Sequence, residues 1–572
     1  YMPQSIELLF IFKVMKNFKK ILISVLVICF SIFSMAAGCA EGGTPGDGGD
    51  DVTGTAKTNR VRVYDIPEGV ERYSGAEVCI NGEEIPVYSV MVNTSQSWTA
   101  NNYRRVQNGV CLLELDGTAT VTVRPQTEIN YSSVVRPLSA KITPIANIEE
   151  NELTFTFSSA GEYVLEVNGE AYDAIHFFVS DYDESDGAAD ISGYKNVMVF
   201  EAGLHTAEND ERISDNNVVT LSSDTLVYLE DGAVVRAKFS ANNAENIMIA
   251  GRGVIDGSAF ERDANAGTVT VPLEFNYCSN VILKQFFVLD PAGWCVNFYF
   301  IEDSKIDDVK IISSRSNGDG ISLQSCKNIE VDGCFVRSWD DSLVVKNYPR
   351  WDDRKVFGET ENITFTNCTV WTDLAQSMEL GYETVGEKFE NITFDNITVL
   401  HAMNLAVMSI HNANNAEIKN VVWRNITVED GRNAADGAGI IDFRVLYSPT
   451  WSDQHTDPTP LGNVDGVTVE NVNVISARRF TAVMGGCYDS RIGFESNHYV
   501  DNVTVKNIAL AGGRPTEEEC SFTSTGEEYL RNFTFVQDES FTVTGASFVS
   551  SRTDEYLSQF GDDIAVEIVS AK

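Results

Sequence analysis

From about Ile191 onward one short phrase keeps returning. It reads N-V-M-V-F at 196, N-I-M-I-A at 246, N-V-I-L at 280, D-V-K-I-I at 308, N-I-E-V at 328, N-I-T-F at 362 and 391, G-V-T-V at 466 and N-V-T-V at 502. The intervals cluster near 20 to 35 residues, which marks a solenoid. Such a unit cannot bury its apolar face alone and must stack on its neighbours. The phrases are short, β-branched and without helical period, so the expected coil is a parallel β-helix. The asparagine ahead of each strand suits a tight corner, because it tolerates the left-handed region and bonds locally. Stacked in successive coils, these amides can also bond one another as a ladder. Many of the phrases read N-x-S/T, and the corner accounts for them.

The repeat divides the chain. Residues 186–572 are assigned to the coil, ending near Gly512 with a strand-like tail that finishes or caps it. Residues 60–185 alternate at period two, as in V-R-V-Y, T-V-T-V and L-T-F-T-F, with Asn-Gly at 81, 108 and 168. This predicts a smaller antiparallel β-sandwich with a supporting or carbohydrate-contacting role. Residues 40–59 are rich in Gly, Asp and Thr and read as a flexible linker. Residues 1–39 hold a basic stretch after Met15, an apolar run Ile21 to Phe33 and a small-residue box ending in Cys39. That layout resembles a bacterial lipoprotein signal, which implies export, lipid attachment at Cys39 and a periplasmic or cell-surface place on the outer membrane. Cys79 and Cys111 are candidates for a disulfide, whereas Cys326, Cys334 and Cys368 read as buried thiols.

The net charge is −41, from 83 acidic and 42 basic residues. Nucleic acid and anionic membrane surfaces need basic patches, so neither is expected as a main partner beyond the lipid anchor. The acidity also disfavours a polyanionic substrate at long range.

Two segments of the coil carry the chemistry. S-N-G-D-G-I-S-L at 316–323 aligns on S-W-D-D-S-L-V-V at 338–345, a step of 22 residues. If that step is one coil, Asp319 stacks on Asp341 at one strand spacing, ~4.8 Å. Asp340 joins them. Crowded carboxylates raise at least one pKa, so one group stays protonated while another is ionised. Glycoside hydrolysis needs that division. Solvated turn residues and a calcium site are the competing readings of such a cluster, and no metal or other cofactor is assigned.

G-R-G-V-I-D-G at 251–257, N-G-D-G-I at 317–321 and W-D-D-S-L-V-V-K at 339–346 resemble the polygalacturonase family, glycoside hydrolase family 28, and its sister dextranase and isopullulanase family 49. The resemblance covers roughly residues 190 to 510. It implies an all-β, right-handed parallel β-helix of the pectin-lyase-like fold that hydrolyses O-glycosidic bonds of a polysaccharide with inversion. By position Asp340 matches the general acid, and Asp319 and Asp341 the pair that activates water. Inversion requires acid and base ~6.5–9.5 Å apart. The family's Gly-His-Gly and Arg-x-Lys motifs have no counterpart: the comparable coil reads S-M-E-L-G-Y-E at 377–383. His401 and His411 read as packed or surface residues. The substrate is thus a pectic or a neutral polymer, with the neutral one favoured.

Trp339, Lys346, Glu379 and Tyr382 are taken as substrate-binding. Trp339 and Tyr382 offer stacking faces, Glu379 a hydroxyl acceptor, and Lys346 a partner that keeps one Asp ionised. Trp294, Tyr348, Trp351 and Trp371 lie near the same coils. Two alternatives remain: a lyase using Arg315 or Arg337, and a non-catalytic glycan-binding coil.

Overall fold

The computed structural model describes residues 59–97, 104–183, 193–263, 267–348, 357–431, 439–452, 458–477, 479–511, 513–538 and 541. The signal, Cys39, the linker and Trp351 lie outside them. Strands dominate, and the helical pieces are three single 3₁₀ turns, at Leu138–Ala140, Val167–Gly169 and Glu517–Glu519, among the described residues.

The N-terminal part is a two-sheet sandwich of six and five strands. Its core gathers Val78, Leu113, Val123, Phe155, Phe157, Leu165 and Phe177. The expected antiparallel order holds with one exception: strand Arg105–Asp116 runs parallel to Ala174–Asp181 in the middle of the six-stranded sheet. Cys79 and Cys111 are free thiols, so the candidate disulfide is not formed. Cys326, Cys334 and Cys368 are free and buried as expected.

From Asn196 the chain winds into a right-handed parallel β-helix with three faces. One coil shows the plan. Glu302–Asp307 lies on the first face, Lys310–Ile312 on the second and Ile321–Gln324 on the third. Each pairs in register with its equivalent one coil on, such as Ile321 with Leu343 and Lys310 with Phe335. The first two faces join at sharp corners into a 21-stranded sheet, and the third is an 11-stranded sheet. The coil passes Gly512: Cys520–Ser524 pairs with Phe480–Gly485, and Thr534–Val536 with Val500–Leu510. The tail therefore continues the winding.

The corners behave as the sequence predicts. Asn280, Asn328, Asn362, Asn391, Asn396, Asn425, Asn471 and Asn507 all have φ between 50° and 59°. Their amides form two ladders. One runs from Asn420 to Asn391, Asn362 and Asn328, with N···O of 3.3, 3.1 and 2.9 Å. The other includes Asn396 to Asn367 and Asn507 to Asn471, at 2.7 and 2.9 Å. Inside, Phe365, Phe394 and Trp423 stack in consecutive coils with interplanar angles of 2°. Asn367→Ala removes the amide that lets this residue sit at φ 55° and cuts the ladder, so it is expected to cost about 1–2 kcal/mol, read from thermal melts.

The sandwich docks on the second face. Val90, Val110, Val164 and Phe178 pack against Val254, Phe287, Ile312, Phe335 and Trp371 of the coil. Buried charges cross the same boundary. Arg136 binds Glu166 at 2.7 Å and Glu429 at 2.9 Å, and His401 bridges Glu166 at 2.5 Å and Asp430 at 2.7 Å. His401 is thus a packed residue, as expected from sequence.

Candidate active site

The turn before each third-face strand carries the acidic residues. Asp319 sits ahead of Ile321–Gln324, and Asp340 and Asp341 ahead of Leu343–Asn347. The N-G-D-G sequence has a steric cause. A β-carbon on Gly320 would meet the Ser342 carbonyl oxygen at 2.4 Å, and one on Gly318 the Arg315 carbonyl oxygen at 2.6 Å. Gly318 lets the turn fold tightly on its own coil and Gly320 lets it approach the next one, with Asp319 between them.

The register then brings the carboxylates together. Gly320 N–H donates to the Asp341 carbonyl at 2.8 Å, so Asp319 lies beside Asp341 in the ladder. One oxygen from each of Asp319, Asp340 and Asp341 lies within 4.8 Å of the others. That is closer than the ~6.5–9.5 Å expected for acid and base in inversion. The physical reason is the register itself: neighbouring coils are one strand spacing apart.

Lys346 is the countercharge. Its Nζ lies 2.5 Å from Asp319 Oδ2 and 4.1 Å from the centroid of the Trp294 ring. Burial opposes its charge, yet Asp319, Glu383 and Asp341 raise its pKa above the ordinary lysine value. Burial pushes Asp340 well above the usual carboxylate range, reinforced by Asp319 and opposed by Lys346. Asp341 is pushed the same way by burial, then by Asp340 and Asp319. Asp340 Oδ1 accepts the Asp341 N–H at 3.0 Å, and Asp341 Oδ1 the Gln376 N–H at 3.1 Å. Burial and crowding thus hold a proton on the Asp340–Asp341 pair, beside the ion-paired Asp319. Such oxygens suit a hard cation, but here an ammonium already stands against Asp319.

Further along the third face, Val345, Leu380, Ile410 and Phe443 point into the core. The alternate positions, Lys346, Glu379, Ser409, His411, Asp442 and Arg444, face away from that core, and all but Arg444 are themselves buried. Between Val345 and Asn347 the register slips: Asn347 pairs with Thr384, so Gly381, Tyr382 and Glu383 bulge beside Lys346. Glu379 is buried, with Oε1 2.8 Å from His411 Nδ1 and Oε2 accepting from Ser409 Oγ. Tyr382 is half-buried over the His411 ring.

Trp339 is not a sugar-stacking residue. It is fully buried, and its Nε1 donates to the Ser95 carbonyl of the sandwich at 2.9 Å. Trp371 is likewise buried at that boundary. Both lyase candidates are buried and paired with other carboxylates. Arg315 is paired with Asp290 at 3.1 Å, and Arg337 is wholly buried against the sandwich. In the G-R-G-V-I-D-G stretch Asp256 accepts from Arg236 at 2.8 Å and from the Ser258 amide at 2.9 Å, a turn-building role. Glu383, His411, Asp442 and Arg444 were not singled out as site residues by sequence. The coil steps here are 35, 30 and 33 residues, from Leu343 to Met378, Met408 and Ile441, so the row is not visible as a fixed repeat.

The sequence profile of glycosyl hydrolases family 28 matches residues 196–528. The chain belongs to that family. The match begins with the first coil strand, so the family-28 part is the coil itself. A probable polygalacturonase of Vitis vinifera is 25% identical over 158 residues, 26% of this chain and 32% of that protein. The chain therefore spans about a third of that relative's length. Dex49A from Penicillium minioluteum, a family-49 dextranase, superposes with a TM-score of 0.54 at 13% identity, covering 83% of this chain and 96% of its own.

Proposed function

We propose that this family-28 chain hydrolyses O-glycosidic bonds of a polysaccharide at the Asp319, Asp340 and Asp341 cluster. The observation that carries this reading is three buried carboxyl groups with oxygens within 4.8 Å of one another, one of them paired to an ammonium. Asp340 gives its proton to the leaving oxygen. Asp319 and Asp341, stacked in adjacent coils, hold and deprotonate the attacking water. Lys346 anchors Asp319 and balances one negative charge. Glycosidic cleavage of this type is general acid–base catalysis, to which a positioned acid contributes about 10²–10⁴-fold.

Inversion is supported by the family resemblance and by the two carboxylates available to one water. The short separation favours a second reading, in which one Asp attacks carbon and the anomer is retained, since retaining pairs lie ~5–5.5 Å apart. Proton NMR of the first-formed product distinguishes them, and a retained anomer removes the water-activating role.

Lys346→Met tests the electrostatics. Lys346 holds the pKa values of Asp340 and Asp341 down against burial. Removing it raises both further, so both limbs of the pH–rate profile are expected to move to higher pH, with lower turnover. An unmoved profile would separate Lys346 from the catalytic titration.

The N-terminal sequence supports export with lipidation at Cys39. Cys39→Ser is expected to release the protein from the membrane fraction, read by fractionation.

A further inference from the structure

The third face continues past the catalytic carboxylates into a second cluster. His411 is held on both sides: Nδ1 is 2.8 Å from Glu379 and Nε2 3.2 Å from Asp442. Burial opposes its charge, but Glu379 and Asp442 hold it up at about 9. Arg444 lies beside it, with Nε and Nη2 each 2.5 Å from an Asp442 oxygen. The imidazole ring lies flat against Tyr382, centroids 4.1 Å apart at 0°. Tyr382 in turn faces Trp451, at 5.8 Å and 31°, and Trp451 is 37% exposed.

This second cluster is continuous with the catalytic one. Glu379 acts electrostatically on Asp341, and Asp341 on Tyr382. Among the described residues the joint surface holds six carboxyl groups, on Asp319, Asp340, Asp341, Glu379, Glu383 and Asp442, against three cations. Each cation, Lys346, His411 and Arg444, already faces a carboxylate of the chain. A uronate ring would bring its own charge to this surface and find each of these cations engaged, with carboxylates around it. A neutral ring needs no free cation, and the partly exposed Tyr382 and Trp451 offer an aromatic edge to its C–H face.

We propose that the subsite flanking the catalytic carboxylates binds an uncharged sugar residue, stacked on the Tyr382–Trp451 edge, with Glu379, His411 and Asp442 setting the selection against uronates. This rests on the glycosidase reading and narrows its substrate. Asp442 and Glu379 are positioning residues that act through Arg444 and His411.

The test measures binding to the full chain carrying Asp340→Asn. The probes are reducing-end-labelled neutral gluco-, galacto-, arabino- and rhamno-oligosaccharides and, beside them, oligogalacturonides. At least one neutral series is expected to bind about tenfold tighter than oligogalacturonides. Trp451→Ala and Tyr382→Ala should each weaken it about tenfold, with Tyr382→Phe retaining affinity. Adding Asp442→Asn, which frees Arg444, should shift the ranking toward oligogalacturonides, an outcome that loss of packing would not give. Tighter or equal oligogalacturonide binding, failure of every neutral series, or neutral binding indifferent to both aromatic substitutions overturns the inference. Turnover retained by Asp340→Asn would instead sink the acid assignment and leave the binding ranking standing.

Discussion

Asp340→Asn is expected to lower turnover by about 10³-fold while substrate affinity stays close to that of the unaltered protein. The amide is nearly isosteric and can still accept the Asp341 N–H that Asp340 Oδ1 accepts. What it lacks is an acidic proton for the leaving oxygen. Burial and Asp319 hold the Asp340 carboxyl protonated above the usual range, and an amide has no such proton to keep. Replacing a carboxyl that already holds its proton by a neutral amide of the same shape should leave stability close to unchanged. Steady-state kinetics and a thermal melt together check this. Ordinary turnover in a folded variant would show that another group supplies the proton.

Arg337→Met should be the most destabilising of these substitutions, by about 3–5 kcal/mol. The guanidinium is wholly buried where the sandwich meets the coil. It donates to Asn108 Oδ1 at 3.0 Å and to the Ala171 carbonyl at 3.3 Å on the sandwich. On the coil it pairs with Asp373 at 3.4 Å and lies over the Trp371 ring at 3.7 Å. Methionine leaves the Asp373 carboxylate in an apolar boundary with the Trp371 indole N–H, at 2.8 Å, as its remaining hydrogen-bond donor. Burial already raises Asp373, and Arg337 is the main opposing influence. A raised folded-state pKa gives stability that is present below the unfolded value and lost as pH rises through the folded one. The variant should therefore be more deficient at neutral than at acidic pH, as denaturant melts at two pH values would show. Adding Asp373→Leu should recover much of the loss, since a matched apolar pair can replace a buried ion pair.

The winding was legible because its cause is local. An asparagine that must sit at positive φ before each strand recurs in the sequence whether or not its coil is lengthened by a loop. The triad was legible for a narrower reason: the coil from Asp319 to Asp341 carries no insertion, so one coil equals 22 residues and the register can be counted. His411, Asp442 and Arg444 escaped because the following coils take up 30 to 35 residues, and no local residue marks where each strand restarts. Trp339 was misassigned for a different reason. Its neighbour across the boundary, Ser95, is 244 residues earlier, and nothing around Trp339 shows that a second domain covers it. Burial by a distant partner is a tertiary fact. So is the parallel pairing within the sandwich, which depends on two strands far apart in the chain.

The third face also has an evolutionary consequence. Its outward row takes one residue from each turn of the chain, Ser322, Val344, Glu379, Ser409 and Asp442 in sequence order. Their inward neighbours, Leu323, Val345, Leu380, Ile410 and Phe443, carry the packing. Selection can therefore rewrite this outward row without disturbing the packing beneath it, although Glu379, Ser409, His411 and Asp442 are bonded to one another and must change together. New substrate preferences in such a molecule are reached by coupled edits along the outward row, made while the inward row keeps the scaffold in place.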